Sequence, residues 1–373
     1  MAPMVSDLII FGAGLFLDQA LRRVFKSSII TVSDSMPHSS YQLPRTCFLA
    51  THFGPLPPWL RLTLETFARN KDYKLLLFTD QKLRRAIAYE NIAIHPYSLT
   101  AFNRLATEKT GVPISLERGY KICDLRPAFG VIFEDYLEGC DYWGHVDLDT
   151  FWGNLSAFLP RLMAQNYDII CGSPYHVGGP FCLYKNTEKI NFLYRQNPTY
   201  SHAFTTSENV DFDEIGIQIN CQGFERTVRI QESAGELLVF RGQEQLCLQD
   251  AQSAWWPAQV AEAFPDHPRK QTIPLAASGR WQQGRLLSIL DGKEYMFYHF
   301  KMGKRRLFRP IAIRRCDRLD SFEVGLEGIC LHYRGWTSKI LHFGEQILIR
   351  VTKTLIYDLG PIRHLLGFRR TPK

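Results

Sequence analysis

The sequence predicts an α/β fold in which a mixed, mostly parallel sheet is flanked by helices. Three observations favour it: short apolar runs of strand length, helical spacing between these runs, and polar residues where the runs end. The chain has 373 residues, of which 45% are hydrophobic and 13% aromatic, so it can bury a large core. Strand–helix–strand alternation is typical of parallel sheets, whose ligands bind at the carboxyl ends of the strands.

The first part of the chain supplies this alternation. It predicts strands at Cys47–Thr51, Lys74–Asp80 and Ile92–Ile94, with a helix at Trp59–Asn70 after the first strand and a short helix at Leu83–Ala88 after the second. Thr51, His52, Phe53 and Asp80 follow or end the first two strands, so they are either ligand contacts at the sheet edge or ordinary loop caps. A helix is predicted at Tyr120–Tyr136, and because Pro127 lies within it, the regular helix is expected to begin there, with Asp124 or Leu125 near its cap. Later strands are predicted at Tyr167–Gly172, Leu237–Phe240 and Glu294–Phe300, and Val177–Tyr184 is predicted to form a Gly-Gly-Pro turn followed by a strand.

The start of the chain differs from this part. An amphipathic helix at Ser6–Lys26 and a Ser- and Pro-rich linker at Ser33–Pro44 are predicted there. The apolar run Leu8–Leu17 is too short to span a bilayer. Nine cysteines form no C-x-x-C pair, which favours reduced core residues of a cytoplasmic protein over disulfides or a zinc site.

The end of the chain is basic. Residues 301–373 hold 16 Lys and Arg against 6 Asp and Glu, whereas the whole chain has a net charge of only +7. Apolar residues from Trp336 to Phe368 have helical spacing, which suits either a helix packed on the core or a basic surface for anionic lipid. The predicted domains are thus 1–44, 45–304 and a basic helical extension, 305–373.

Asp147 and Asp149 are separated by one residue, between aromatic and apolar neighbours. Carboxylates at this spacing can converge on Mg²⁺ or Mn²⁺, which also bind phosphate oxygens. Such triplets also occur by chance as two solvated acids. Phosphatases of the haloacid dehalogenase type use a similar triplet, but they require a threonine where Phe151 stands.

Distant residues extend the metal hypothesis. His299 ends a predicted strand, with Lys301 and Lys304 beyond it, which suits a metal–diphosphate site, although a lone histidine is more often structural. Asp213 and Glu214 are candidates for the general base that an inverting sugar transfer requires, or for loop-capping acids.

Taken together, these motifs resemble a group of bacterial-type, metal-dependent glycosyltransferases of the GT-A fold, related to capsular and lipopolysaccharide sugar transferases. The similarity covers about Arg45 to Lys304. In the family's order, the matching motifs are Phe53-Gly54 with Pro57, Phe78-Thr79-Asp80, Lys121-x-Cys123-Asp124-Leu125-Arg126-Pro127, the stretch Asp141 to Asp149, Gly153-Asn154, His176-x-Gly178-Gly179-Pro180-Phe181 with Lys185-Asn186, Phe212-Asp213-Glu214, and His299-Phe300-Lys301.

The resemblance implies roles for these residues. It assigns a Mn²⁺ or Mg²⁺ ion, on the diphosphate of a nucleotide sugar, to Asp147, Asp149 and His299, with Lys301 assisting. It assigns the lining of the nucleotide pocket to Thr51, Phe53, Asp80, Lys121 and Asp124. Gly179 and Phe181 would face the donor sugar or the acceptor.

The expected function is therefore metal-dependent transfer of a sugar from a nucleotide-diphosphate donor, a UDP-sugar, to a hydroxyl group of a glycan or lipid-linked acceptor. We expect a cytoplasmic location, peripheral contact with anionic membrane through the basic extension, and no nucleic acid partner. The alternative is a catalytically silent protein that binds nucleotide sugars or glycans on the same fold.

Overall fold

The computed structural model describes residues 43–83, 89–216, 221–242, 246–249, 277–301, 303–306, 319–325 and 328–333. Apart from Leu43, these residues belong to one compact unit, Pro44–Lys373. Four predictions lie wholly or mostly outside the described residues. They are the N-terminal helix, the linker apart from Leu43 and Pro44, the helix at Leu83–Ala88 apart from Leu83, and the helical spacing from Trp336 onward.

The described residues form short strands and helices. The strands are β1 Thr46–His52, β2 Tyr73–Thr79, β3 Ile92–Pro96, β4 Tyr142–Val146, β5 Thr150–Trp152, β6 Ile169–Cys171, β7 Phe181–Lys185, β8 Val239–Arg241, β9 Cys247–Gln249, β10 Gly279–Gln282, β11 Arg285–Ser288, β12 Glu294–Tyr295, β13 Phe297–His299, β14 Leu319–Gly325 and β15 Gly328–Tyr333. The α-helices are α1 Leu60–Ala68, α2 Leu99–Thr110, α3 Phe129–Ile132, α4 Leu159–Ala164, α5 Glu188–Asn191, α6 Tyr200–Thr205 and α7 Phe224–Ser233. The 3₁₀ helices are Gly119–Ala128, Glu134–Tyr136, Leu155–Ala157, Leu193–Gln196 and Gly303–Arg306.

A seven-stranded sheet, ordered β3-β2-β1-β4-β7-β6-β8, forms the centre of the unit. Neighbouring strands run parallel except at β7, which is antiparallel to both β4 and β6. The predicted mixed, mostly parallel sheet flanked by helices is confirmed. Because β1, β2 and β4 are parallel, their carboxyl ends meet at one edge, and β7 begins at the same edge.

Aromatic packing fixes helix α1 against this sheet. Phe67 of α1 is fully buried and meets Phe48 of β1 edge-on, with ring centroids 5.7 Å apart. Its ring also meets Trp152 of β5 edge-on, at 5.6 Å. Burial of each such side chain stabilises the fold by roughly 1.5–3 kcal/mol, so α1 is held firmly behind the turn between β4 and β5.

The stretch Tyr120–Tyr136 is helical as predicted, but it does not form one regular helix. The stretch forms a long 3₁₀ helix, Gly119–Ala128, then the single turn α3 and a second 3₁₀ turn. Pro127 has no N–H group with which to continue an α-helical ladder. Lys121 and Asp124 form a buried ion pair at a spacing of three residues, which the tighter 3₁₀ turn brings into line.

One predicted strand is also corrected. The run Glu294–Phe300 is divided between two sheets, because β12 pairs with β11 whereas β13 pairs with β5 and β9. The predicted Gly-Gly-Pro turn and the strand after it are confirmed, since Gly178 and Gly179 have φ angles of +90° and +69° and β7 begins at Phe181.

Two smaller sheets complete the described chain, ordered β12-β11-β10-β14-β15 and β5-β13-β9. Strands β14 and β15 fall within 305–373, and β14 pairs with β10. The described part of the predicted helical extension is therefore partly strand, because the alternating burial of β14 allows it to pack on the sheet. Among the described residues, no helix combines the length and apolar character needed to cross a bilayer.

Candidate active site

Asp147, Asp149 and His299 come together at the edge of the main sheet. Asp147 follows β4, Asp149 precedes β5, and β13 pairs with β5 so that His299 lies opposite Thr150. One ligand atom from each of the three residues lies within 4.8 Å of the others. The pairing of two short strands thus joins residues that are far apart in the sequence.

The turn that carries the two aspartates is fixed by backbone hydrogen bonds. The carbonyl of Leu148 accepts hydrogen bonds from Trp59 Nε1 and Thr63 Oγ1, both at 2.9 Å. The N–H of Phe300 donates to the carbonyl of Asp149 at 2.8 Å. The backbone is therefore held on both sides of the turn, and the site is organised before a ligand binds.

Basic side chains neutralise both aspartates. Arg126 donates to Asp147, and Lys304 donates to Asp149. Burial alone would raise the pKa of Asp149, but the charges of His299 and Lys304 outweigh burial, and the pKa lies below its usual value. For Asp147, burial outweighs the attraction of Arg126, and the pKa is raised.

This donor set fits a divalent cation. Mn²⁺ accepts imidazole together with carboxylates, whereas Mg²⁺ prefers oxygen ligands. Asp149 Oδ1 is buried, has no hydrogen-bond partner among the described residues and lies 3.7 Å from His299 Nε2. An unpartnered buried carboxylate oxygen is costly, and a bound cation would satisfy it.

Asp213 and Glu214 have different environments. Asp213 is 3% exposed and accepts a hydrogen bond from Arg126 Nη1 at 3.1 Å. Burial raises its pKa well above the usual value, despite Arg126. The side chain of Glu214 is 33% exposed, and its Oε2 lies 3.7 Å from His176 Nε2. A substrate can therefore reach the carboxylate of Glu214, whereas that of Asp213 is enclosed.

A glycine turn lies directly against this acid pair. A Cβ atom on Gly178 would come within 2.4 Å of the carbonyl oxygen of Asp213. The carbonyl of Gly179 accepts hydrogen bonds from Arg126 Nη1 at 3.3 Å and from His145 Nε2 at 3.2 Å. Glycine is needed here for both the left-handed backbone and the close approach.

Thr51, Phe53 and Asp80 lie at the neighbouring carboxyl ends of β1 and β2. Thr51 and Phe53 are half-buried, and Asp80 is exposed. The N–H of Gly54 donates to Asp80 Oδ1 at 2.9 Å and lowers the pKa of this carboxyl. The three residues thus share the sheet edge with the metal-ligand candidates, and their contact with a nucleotide stays a prediction.

Lys121 and Asp124 lie beneath this surface. They are 2% and 0% exposed, and their charged atoms are 2.6 Å apart. Lys121 Nζ donates to the carbonyl of Ala203 at 2.6 Å, and Asp124 accepts from the N–H groups of Val210 and Phe212 at 3.0 and 2.7 Å. These contacts hold the loop that leads to the acid pair, and a direct contact with the nucleotide stays a prediction.

Phe181 and Lys301 differ from each other in burial. The ring of Phe181 is fully buried and packs against Phe48, Trp152 and Phe297. Lys301 is exposed and follows β13. In this structure the Phe181 ring is part of the core, and its predicted role at the donor sugar or acceptor is untested.

Arg126, which belongs to a motif of the sequence but had no predicted role, lies at the centre of the site. Its guanidinium contacts Asp147, Asp213 and the carbonyl of Gly179. The available signal was its place in the Asp124–Pro127 motif, where an arginine directly precedes a proline. Because that motif was interpreted as a helix start, the arginine had no assigned target.

One protein-family model matches most of this chain. Residues 48–324 match a family model described as a family of unknown function, DUF6625. The chain belongs to this family. No curated protein matches it.

Several solved glycosyltransferase structures resemble the chain distantly. Mouse xyloside xylosyltransferase 1, in apo form, is 11% identical and has a TM-score of 0.37, covering 68% of this chain and 97% of that one. The galactosyltransferase LgtC, in complex with donor and acceptor sugar analogs, is 9% identical with a TM-score of 0.36, covering 73% and 94%. A mannosyltransferase from Pyrobaculum calidifontis, in complex with GDP-Man and Mn²⁺, is 10% identical with a TM-score of 0.29, covering 63% of each chain. At these TM-scores none of the similarities carries weight for function, which has to be inferred from the residues of the site.

Proposed function

We propose that this chain is a metal-dependent glycosyltransferase of the GT-A type. It would transfer a sugar from a nucleotide-diphosphate donor, a UDP-sugar, to a hydroxyl group of a glycan or lipid-linked acceptor. The observation that supports this most is the cluster of Asp147, Asp149 and His299 beside Arg126 and Lys304. Two carboxylates, an imidazole and two cationic side chains in one place match the ligands of a metal-bound diphosphate.

Charge on the leaving diphosphate is the main barrier that such a site has to lower. A divalent cation held by Asp147, Asp149 and His299 would supply Lewis-acid stabilisation of that charge. Lys304 and the exposed Lys301 would present ammonium groups to phosphate oxygens.

Glu214 is the better placed of the two acids for proton transfer. As the acceptor oxygen forms its bond to the sugar and the bond to the diphosphate breaks, the hydroxyl proton has to leave. In an inverting reaction it would pass to the reachable carboxylate of Glu214. In a retaining reaction an oxygen of the leaving diphosphate would take it. In both cases Asp213, bound by Arg126, would position the guanidinium.

A phosphatase is not favoured. Phe151, which occupies the position of the required threonine, is fully buried in the core.

Release of free nucleotide tests the proposal. Purified protein is incubated with UDP-, GDP- and CMP-sugars, an acceptor panel and Mn²⁺, with a chelator as the control. We expect metal-dependent, acceptor-stimulated release. Glu214→Gln should lower transfer by about 10²–10⁴-fold if Glu214 is the base, while nucleotide affinity is retained. Nucleotide binding without any turnover would favour the silent binding protein instead.

The cytoplasmic location and peripheral membrane contact belong to the same proposal. They are supported by the excess of basic residues after residue 300 and by the free thiols of Cys47, Cys123, Cys140, Cys171, Cys182 and Cys221.

A further inference from the structure

Tyr120 is 73% exposed, although it lies on the same helix as Arg126. In a 3₁₀ helix, residues three apart stack on one face. The stretch from 120 to 128 has three positions that are not buried, Tyr120, Cys123 and Arg126, and these are three residues apart. Tyr120 therefore lies on the face that also presents Arg126 to Asp147, about 12 Å along the helix at a rise of about 2 Å per residue.

The backbone at Tyr120 is held in place. A Cβ atom on Gly119 would lie 2.7 Å from the carbonyl oxygen of Phe53, so the helix start is pressed against the end of β1. One residue after the tyrosine, Lys121 is fixed in the buried pair with Asp124. The tyrosine ring is thus carried at the mouth of the site by a rigid element, where an apolar surface faces solvent.

The loop that carries Asp211 is fastened to the same helix. Asp124 accepts hydrogen bonds from the N–H groups of Val210 and Phe212, on either side of Asp211. Partial desolvation, and next the neighbouring Cys123 and Asp211, raise the pKa of the Tyr120 hydroxyl. The Tyr120 ring and the loop of Asp211 are thus both held by this one helix.

We propose that Tyr120 is the platform on which a neutral acceptor sugar stacks, with Asp211 accepting hydrogen bonds from its hydroxyl groups. This inference rests on the proposed function and adds the acceptor class to it. The C–H face of a sugar ring suits the negative face of an aromatic ring. The carboxylate of Asp211 attracts hydroxyl groups and repels phosphate, so the phosphates of a donor belong beside Arg126 and Lys304 instead.

The test measures sugar binding and nucleotide binding separately. Wild type, Tyr120→Ala, Tyr120→Phe and Leu290→Ala are compared; Leu290 is a control because it is 78% exposed in the turn between β11 and β12. Saturation-transfer NMR with methyl glycosides of glucose, galactose, mannose and N-acetylglucosamine reports sugar binding. Calorimetry with UDP and Mn²⁺ reports nucleotide binding.

We expect Tyr120→Ala to bind the glycosides about three- to tenfold more weakly than the wild type. Tyr120→Phe and Leu290→Ala should retain the glycoside affinity of the wild type. The affinity for UDP should be unchanged in all three variants. Equal glycoside binding by Tyr120→Ala, or none by the wild type, would overturn the platform. A loss of UDP affinity alone would also overturn it and assign the ring to the nucleobase. Failure of the proposed function would instead show as a wild type that has no Mn²⁺-dependent UDP affinity, whatever its glycoside binding.

Discussion

At the scale of single residues, environment gives the acids of the site different tasks. Asp149 is buried beside His299 and Lys304, and its pKa is lowered, so it stays ionised and suited to a cation. Asp213 is enclosed with Arg126, and burial raises its pKa. Glu214 alone of the three has a side chain about one-third exposed. Residue type and spacing do not distinguish these acids, whereas their surroundings do.

The pKa of Asp211 predicts how the free energy of unfolding depends on pH. Burial, and next the charge of Glu214, raises its pKa to about 6. The folded state therefore binds the proton more tightly, and the free energy of unfolding falls as pH rises from about 4 to about 6. Asp211→Asn should remove this cost and stabilise the protein at pH 7.5 by about 1–2 kcal/mol, discounted for partial exposure, with little effect at pH 4. Asparagine also tolerates the φ of +51° at this position.

Urea unfolding at both pH values measures this effect, and Asp80→Asn is the control of opposite sign. The N–H of Gly54 lowers the pKa of Asp80, so its contribution is present at neutral pH and is lost as pH falls through that lowered value. A stabilisation by Asp211→Asn that is equal at pH 4 and pH 7.5 would refute the assignment.

Part of the site follows from sequence at this scale. Asp147 and Asp149 carry a local signal, because two carboxylates one residue apart are chemically suggestive without any fold. The strand-end position of His299 suggested a ligand but carried little weight alone, and the resemblance assigned it, since no local pattern gives the β5–β13 register that brings it to Asp149. Arg126 was missed because its partners lie on other elements.

At the scale of elements, the glycine turn before β7 fixes the acid loop. Gly178→Ala would force a left-handed alanine, with a φ of +90°, against the carbonyl oxygen of Asp213. We expect a loss of about 2–4 kcal/mol in unfolding free energy and reduced transfer. Gly235→Ala is the matched control, because Gly235 has a φ of +74° and nothing within 4 Å of its added Cβ.

The control should cost only about 1 kcal/mol and leave transfer unchanged. Denaturant unfolding and initial rates of nucleotide release measure both quantities. Equal destabilisation by the two substitutions would mean that the close approach at Gly178 has no role beyond backbone conformation.

Strands were predicted correctly where a whole apolar run is buried, and incorrectly where the pairing with other strands determines how a run is divided. The runs that became β1 and β2 are apolar along most of their length, so they were predicted nearly to their ends. The stretch Glu294–Phe300 is equally apolar, but Met296 separates two strands with different partners. Periodicity measures burial and gives no information on which strand pairs with which.

At the scale of the whole molecule, the positive charge is concentrated in the last part of the chain. The excess of Lys and Arg after residue 300 predicts binding to anionic vesicles. A chain truncated after Gly335 should lose sedimentation with phosphatidylserine vesicles that the full chain shows, and neither should bind phosphatidylcholine vesicles. Retained binding by the truncated chain would show that residues 336–373 are not the membrane contact.

The most direct measurement is the affinity for UDP with and without Mn²⁺, by calorimetry, in the wild type, Asp149→Asn and Asp72→Asn. Asp72 is the control because it is an exposed acid that accepts a hydrogen bond from Ser156, outside the metal cluster. We predict that Mn²⁺ tightens UDP binding to the wild type and to Asp72→Asn, and that Asp149→Asn keeps its fold but loses the Mn²⁺ effect. UDP affinity that does not respond to Mn²⁺ in the wild type, or that responds equally in Asp149→Asn, would contradict a metal–diphosphate site at this sheet edge.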